Sequence, residues 1–103
     1  MEDKLLQIIE HFGVLTQQKK LAEEIHELNQ AITLYEAQLS GEYEMPLTYL
    51  IGTKEHIIEE LADVLIVLSQ FMYYYDLQKK DIDKAMRQKI DRTIERIENG
   101  YYI

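Results

Sequence analysis

Two stretches of this chain repeat one pattern of acids, and that repeat limits the available folds more than any other feature. Leu21-Ala22-Glu23-Glu24-Ile25-His26-Glu27-Leu28 and Ile57-Ile58-Glu59-Glu60-Leu61-Ala62-Asp63-Val64 each carry two adjacent glutamates and a third carboxylate three residues on. Aligned on the acids, Leu21 matches Ile57, Ile25 matches Leu61, Leu28 matches Val64, Ile32 matches Leu68 and Tyr35 matches Phe71. Apolar steps of four and three are the period of an amphipathic helix. At about 100° per residue, Glu24 and Glu60 lie roughly 60° to one side of the stripe, and Glu27 and Asp63 roughly 120° to that same side. Glu23 and Glu59 fall nearly opposite, at about 160°. Packed antiparallel, two such helices bring Glu24, Glu27, Glu60 and Asp63 to one spot beside the core seam.

The remaining elements follow from breaks and caps. Residues 2–12 form a short amphipathic helix ended by Gly13, and a long helix runs from 14 to 39, stopped by Ser40-Gly41. The loop is 40–52, with the sole proline, Pro46, and a helical turn expected near 47–51. Thr53 suits an N-cap for a helix reaching about Tyr75, with Glu55 in its first turn. That helix is apolar on nearly every side, so it must be surrounded, and a subunit interface is expected. After a polar break at 76–80, Asp81 is expected to cap a last helix to about Glu98 with the stripe Ile82, Met86, Ile90, Ile94 and Ile97. The predicted fold is all-α, an antiparallel four-helix subunit with two long acidic helices and a basic last one, assembling into a multi-subunit bundle.

Length and charge narrow the function. At 103 residues the chain is expected to be one domain, 1–103. A formal charge of −8 argues against a nucleic-acid surface and suits divalent cations. No cysteine is present, which excludes disulfides, thiolate zinc sites and a cysteine nucleophile. Residues 61–75 are apolar but too short, and too polar at Asp63 and Gln70, to span a bilayer. The start shows no secretion signal, so a soluble cytoplasmic protein is expected.

Carboxylates three apart on a helix are neighbours, and two facing pairs supply the oxygens that Mg²⁺ and Mn²⁺ prefer. Without a cation, four such groups repel and their pKa values rise. A single pair of this kind more often makes a solvated face; the repeat beside two apolar stripes is what favours a metal. No histidine cluster supports a zinc site: His11 ends a helix, His26 points away, and His56 reads as a first-turn surface residue. Lys89, Arg92 and Arg96 share one face of the last helix and suit phosphates, or salt bridges with Asp91 and Glu95. Lys20 lies on the acidic side of its helix, one turn before Glu24. Tyr35, Tyr43, Tyr49, Phe71 and Tyr73–Tyr75 offer rings for base stacking or for a core.

Glu23-Glu24-x-x-Glu27 followed by Glu60-x-x-Asp63 resembles the EExxE…ExxD signature of the MazG-like nucleoside triphosphate pyrophosphohydrolases, in the all-alpha NTP pyrophosphatase superfamily. The resemblance covers roughly residues 12–97 and includes the helix order and the basic last helix. It implies Mg²⁺-dependent hydrolysis of a nucleoside triphosphate to monophosphate and pyrophosphate by a homodimer or homotetramer. By position it implies Glu24, Glu27, Glu60 and Asp63 as metal ligands, with Glu23 either supporting those ligands from behind or helping to orient the water. It also implies Lys89, Arg92 and Arg96 on phosphates; Lys20, from its place on the acidic side of its helix, is a further candidate substrate contact. Members often carry an asparagine near the last-helix lysine, and here there is none before Asn99. The alternatives are a non-catalytic helical module, or a related dUTPase-type or phosphoribosyl-ATP hydrolase. The intact acidic quartet favours the enzyme, since unpaired carboxylates beside a core seam are costly.

Overall fold

A computed structural model of the chain describes residues 1–41 and 52–100. The turn expected near 47–51, Tyr43, Tyr49 and the 101–103 tail lie outside the described residues. Four helices and no strand occur among those described: α1 (Glu2–Phe12), α2 (Val14–Leu39), α3 (Lys54–Tyr74) and α4 (Lys79–Glu98).

Each boundary has a local cause. Gly13 links α1 to α2 alone: its N–H donates to the Ile9 carbonyl at 2.7 Å, and its own carbonyl accepts from the Gln17 N–H at 3.1 Å. It does so at φ 88°, a conformation costly for a residue with a Cβ. The Thr53 side chain accepts from the His56 N–H at 3.2 Å, the expected cap, of a kind that contributes about 1 kcal/mol. The start of α4 differs from expectation. Its N-cap is Gln78, and Asp81 sits inside the first turn, its N–H donating to the Gln78 carbonyl at 3.0 Å. Asp81 there favours the helix dipole without capping it.

Helices α2 and α3 pack antiparallel, with Gln17 near the start of α2 meeting Gln70 near the end of α3. At the other end, Gly52 enters α3 at φ 80°, a conformation that favours glycine, and a Cβ there would also displace the tip of the Gln38 side chain. Helix α1 lies across both, burying Leu5 and Ile9.

The buried line of α2 is not the expected apolar stripe. It runs Gln17, Glu24, Ala31, with Ala31 completely enclosed, while Ile25, Ile32 and Leu39 are at least two-fifths exposed. Small Ala31 lets the backbones approach, which turns the polar heptad inward and the branched stripe outward. On α3 the buried residues are Val64, Val67 and Gln70, and Leu61, Leu65 and Leu68 remain exposed.

Helix α4 packs against none of the other three among the described residues and buries no side chain. Its apolar stripe of Met86, Ile90, Ile94 and Ile97 is about half exposed along its length. Among the described residues nothing covers these stripes, and the bundle those residues form is made of α1, α2 and α3.

Candidate metal centre

The antiparallel packing of α2 on α3 brings the two acidic repeats face to face. One ligand oxygen from each of Glu24, Glu27, Glu60 and Asp63 lies within 4.8 Å of the other three. Their exposure is graded: Glu24 is buried, Glu60 half-buried, and Glu27 and Asp63 open to solvent. Glu24 is therefore not a flanking residue but part of the buried line itself.

Two of the acids are held from outside the cluster, each by one oxygen. Lys20 Nζ donates to Glu24 Oε1 at 2.8 Å, and His56 Nε2 lies 3.2 Å from Glu60 Oε1, donating when the proton is on that nitrogen. Both contacts join residues four apart on one helix. The second oxygens, Glu24 Oε2 and Glu60 Oε2, are buried without a hydrogen-bond partner. Buried carboxylate oxygens are costly to leave so, and two of them on members of one acidic cluster fit a cation. Oxygens around one Mg²⁺ lie about 3.0 Å apart when adjacent and about 4.2 Å when opposite, so side-chain torsions would draw the four oxygens inward around the ion.

The crowding is visible in the titration of the group. The neighbouring Glu24 charge pushes the Glu27 carboxyl above its ordinary value, with partial desolvation and Glu60 adding to it. Asp63 is also raised, first by desolvation and then by Glu24 and Glu60. Lys20 is raised by its hydrogen bond to Glu24, and so stays charged beside the cluster.

The four acids form the divide between two grooves. Glu27 and Glu60 line one of about 610 Å³, with His26, Asn29, Thr33 and His56 around it. Glu24 and Asp63 line the other, of about 630 Å³, together with Glu23, Lys19 and Lys20. Both are of the size that takes a small molecule.

The expected site residues thus divide into two sets. The quartet, Glu23 and Lys20 come together at the α2–α3 seam. Lys89, Arg92 and Arg96 do not join them within one chain, because α4 stands apart. His56 was read from sequence as a surface residue, yet it is half-buried against Glu60; its spacing of four from an acid was the available signal. Gln17 and Gln70 carried no sequence signal except a distance of seven residues from Glu24 and Asp63.

A family model described as the MazG nucleotide pyrophosphohydrolase domain matches residues 12–101, which takes in all four acids and the whole of α2, α3 and α4. No curated protein and no solved structure matches the chain.

Proposed function

The chain belongs to the MazG nucleotide pyrophosphohydrolase family, and from that premise we propose that it hydrolyses a nucleoside triphosphate to the monophosphate and pyrophosphate. The observation that carries this reading is the convergence of Glu24, Glu27, Glu60 and Asp63, with two buried carboxylate oxygens lacking a partner. These four would hold Mg²⁺, for which Mn²⁺ substitutes. Bound there, the ion supplies the positive charge that phosphoryl transfer needs at the reacting phosphate.

The chain's own groups do the rest. Glu23, beside Glu24 and Asp63 on one groove wall, orients a water and accepts its proton as the oxygen bonds to the α-phosphorus. The bond from that phosphorus to the bridging oxygen breaks, and pyrophosphate leaves. Lys20, already paired with Glu24, offers its remaining N–H donors to phosphate oxygens. Lys89, Arg92 and Arg96 grip the departing phosphates, and since α4 lies away from the cluster, they do so from a second copy of the chain.

The exposed stripes on α2, α3 and α4 support that assembly. We read them as the contact surfaces of a homodimer or homotetramer, built from one MazG-like domain over 1–103. No described helix is long and apolar enough to cross a membrane, and the cytoplasm, where nucleoside triphosphates are at hand, is the proposed place of action.

Pyrophosphate release from a panel of canonical and modified nucleoside and deoxynucleoside triphosphates, with Mg²⁺ and with EDTA, tests the reading. Metal-dependent release from one subset is the expected result. Silence across the panel in a folded, Mg²⁺-bound protein overturns it in favour of a non-catalytic helical module.

A further inference from the structure

The groove on the Glu24–Asp63 side contains a pair of side chains that the metal chemistry does not use. Gln17 and Gln70 are only 5% and 1% exposed, and Gln17 Nε2 donates to Gln70 Oε1 at 2.8 Å. Gln17 precedes Glu24 by seven residues and Gln70 follows Asp63 by seven. The amides therefore sit two helical turns from the carboxylates, about 10 Å along the same seam. Both ends line the one groove of about 630 Å³.

One shared hydrogen bond does not use up two amides. Gln17 keeps a carbonyl oxygen and Gln70 keeps an NH₂ group. Exchanging oxygen and nitrogen in both side chains changes which helix offers which, and the pair still keeps one donor group and one acceptor. Among the described residues neither amide has another polar partner, and both border the groove. Two apolar side chains of that shape would fill the seam with no polar group left to satisfy. The groove is also lined by the apolar Ile8, Ile66, Val67 and the half-exposed Phe12 ring and by the polar Thr16 and Lys19, while Lys20 is paired with Glu24 among the carboxylates.

We propose that this groove is the nucleoside subsite and that the Gln17–Gln70 pair reads the hydrogen-bonding edge of the base, an inference resting on the hydrolase reading above. A nucleobase edge sets a donor next to an acceptor, the complement of what the pair presents. With the phosphates at Glu24 and Asp63, two helical turns is the reach from a 5′ phosphate through the sugar to the base. The Phe12 ring offers a flat apolar surface to it. A site that hydrogen-bonds its substrate rejects analogues lacking those groups far more strongly than an apolar pocket does. The substrate class is thus a nucleotide whose base has an unblocked donor–acceptor edge, and bases alkylated there are refused.

The test follows the side-chain NH₂ resonances of Gln17 and Gln70 in the full chain with Mg²⁺. The probes are the common nucleoside 5′-monophosphates and, as a baseless control, ribose 5-phosphate. A nucleotide that binds is expected to shift both side-chain signals, and ribose 5-phosphate neither. The variant Gln17→Leu/Gln70→Leu is expected to bind that nucleotide at least tenfold more weakly. Shifts confined to His26 and Asn29 in the opposite groove, an unchanged nucleotide affinity in the variant, or no binding of any nucleotide would overturn the subsite. If the variant does not fold, the natural chain's resonances decide. Binding through the amides without pyrophosphate release from any triphosphate retains the subsite and removes the hydrolase reading alone.

Discussion

Glu24 and Glu60, on different helices, are engaged in the same way: each gives one oxygen to a basic side chain one turn earlier and keeps the other buried and unpartnered. Lys20 takes Glu24 Oε1 and His56 takes Glu60 Oε1. The two glutamates are thereby fixed in orientation before any cation arrives, and both belong to one cluster. Outer contacts of this kind tune a metal site by aiming its ligands.

Replacing one member of that arrangement separates folding from binding. Glu60→Gln keeps the shape and removes the charge, so Mg²⁺ affinity measured by calorimetry falls tenfold or more while the helical circular-dichroism signal stays. His56→Leu is expected to weaken the ion by about ten- to a hundredfold through misplacement of Glu60, the range that loss of such a support produces. Unchanged affinity in Glu60→Gln would remove the metal site from consideration.

The raised carboxyls make stability depend on pH in a particular direction. Glu27, raised chiefly by Glu24, and Asp63, raised chiefly by desolvation, bind protons more tightly folded than unfolded. Their contribution is therefore complete below the unfolded values, about 4.3 for Glu and 3.9 for Asp, and is lost as pH rises through the higher folded values. Melting temperatures of metal-free protein across the mildly acidic range should show a downward slope from this cluster. Glu27→Gln should flatten that slope, and so should Mg²⁺ on the natural chain. A slope identical in the variant would show that the cluster does not titrate this way.

Ala31 carries a packing prediction of its own. It is completely enclosed on α2, so Ala31→Leu overfills its surroundings. Overpacking of this kind costs about 1–3 kcal/mol, readable as a lower urea midpoint. Because Ala31 shares the buried line of α2 with Glu24, Mg²⁺ affinity should fall with it. A variant as stable as the natural chain would mean the seam is looser than its geometry indicates.

Assembly is tested by sedimentation. If the exposed stripes are contact surfaces, no 12.3 kDa species should be present at micromolar concentration. Ile90→Lys together with Ile94→Lys, in the half-exposed stripe of α4, should release monomers. Monomers should also lose pyrophosphate release, since Lys89 and Arg92 would no longer reach a neighbouring cluster. A natural chain that sediments only as a monomer would refute the assembly and the role of α4 together.

The helix limits and the four acids were legible in the sequence because they rest on local rules. Gly13 and Thr53 mark boundaries through backbone and capping chemistry, and the acidic repeat fixes its own phase. What was not legible depends on which of two faces meets a neighbour. Periodicity identified the stripe Leu21, Ile25, Leu28, Ile32, Tyr35 and Leu39 as the core face of α2; Leu21, Leu28 and Tyr35 are half-buried, Ile25, Ile32 and Leu39 exposed, and the most buried line is Gln17, Glu24 and Ala31. A wheel cannot rank an apolar face against a narrower one that permits closer approach. Asp81 is not the cap for a simpler reason: Gln78 and Lys79 carry no strong stop signal, so the helix extends three residues further back.

The spacing of seven that links Gln17 to Glu24 and Asp63 to Gln70 also says where this chain can change length. A single residue inserted between Gln17 and Glu24 would rotate one against the other by about 100° and swing the amide out of the seam while leaving the acids in place. The same insertion among residues 42–51 alters neither helix. Among natural or engineered variants, insertions and deletions should therefore gather between α2 and α3 and be missing from 17–31 and 56–70.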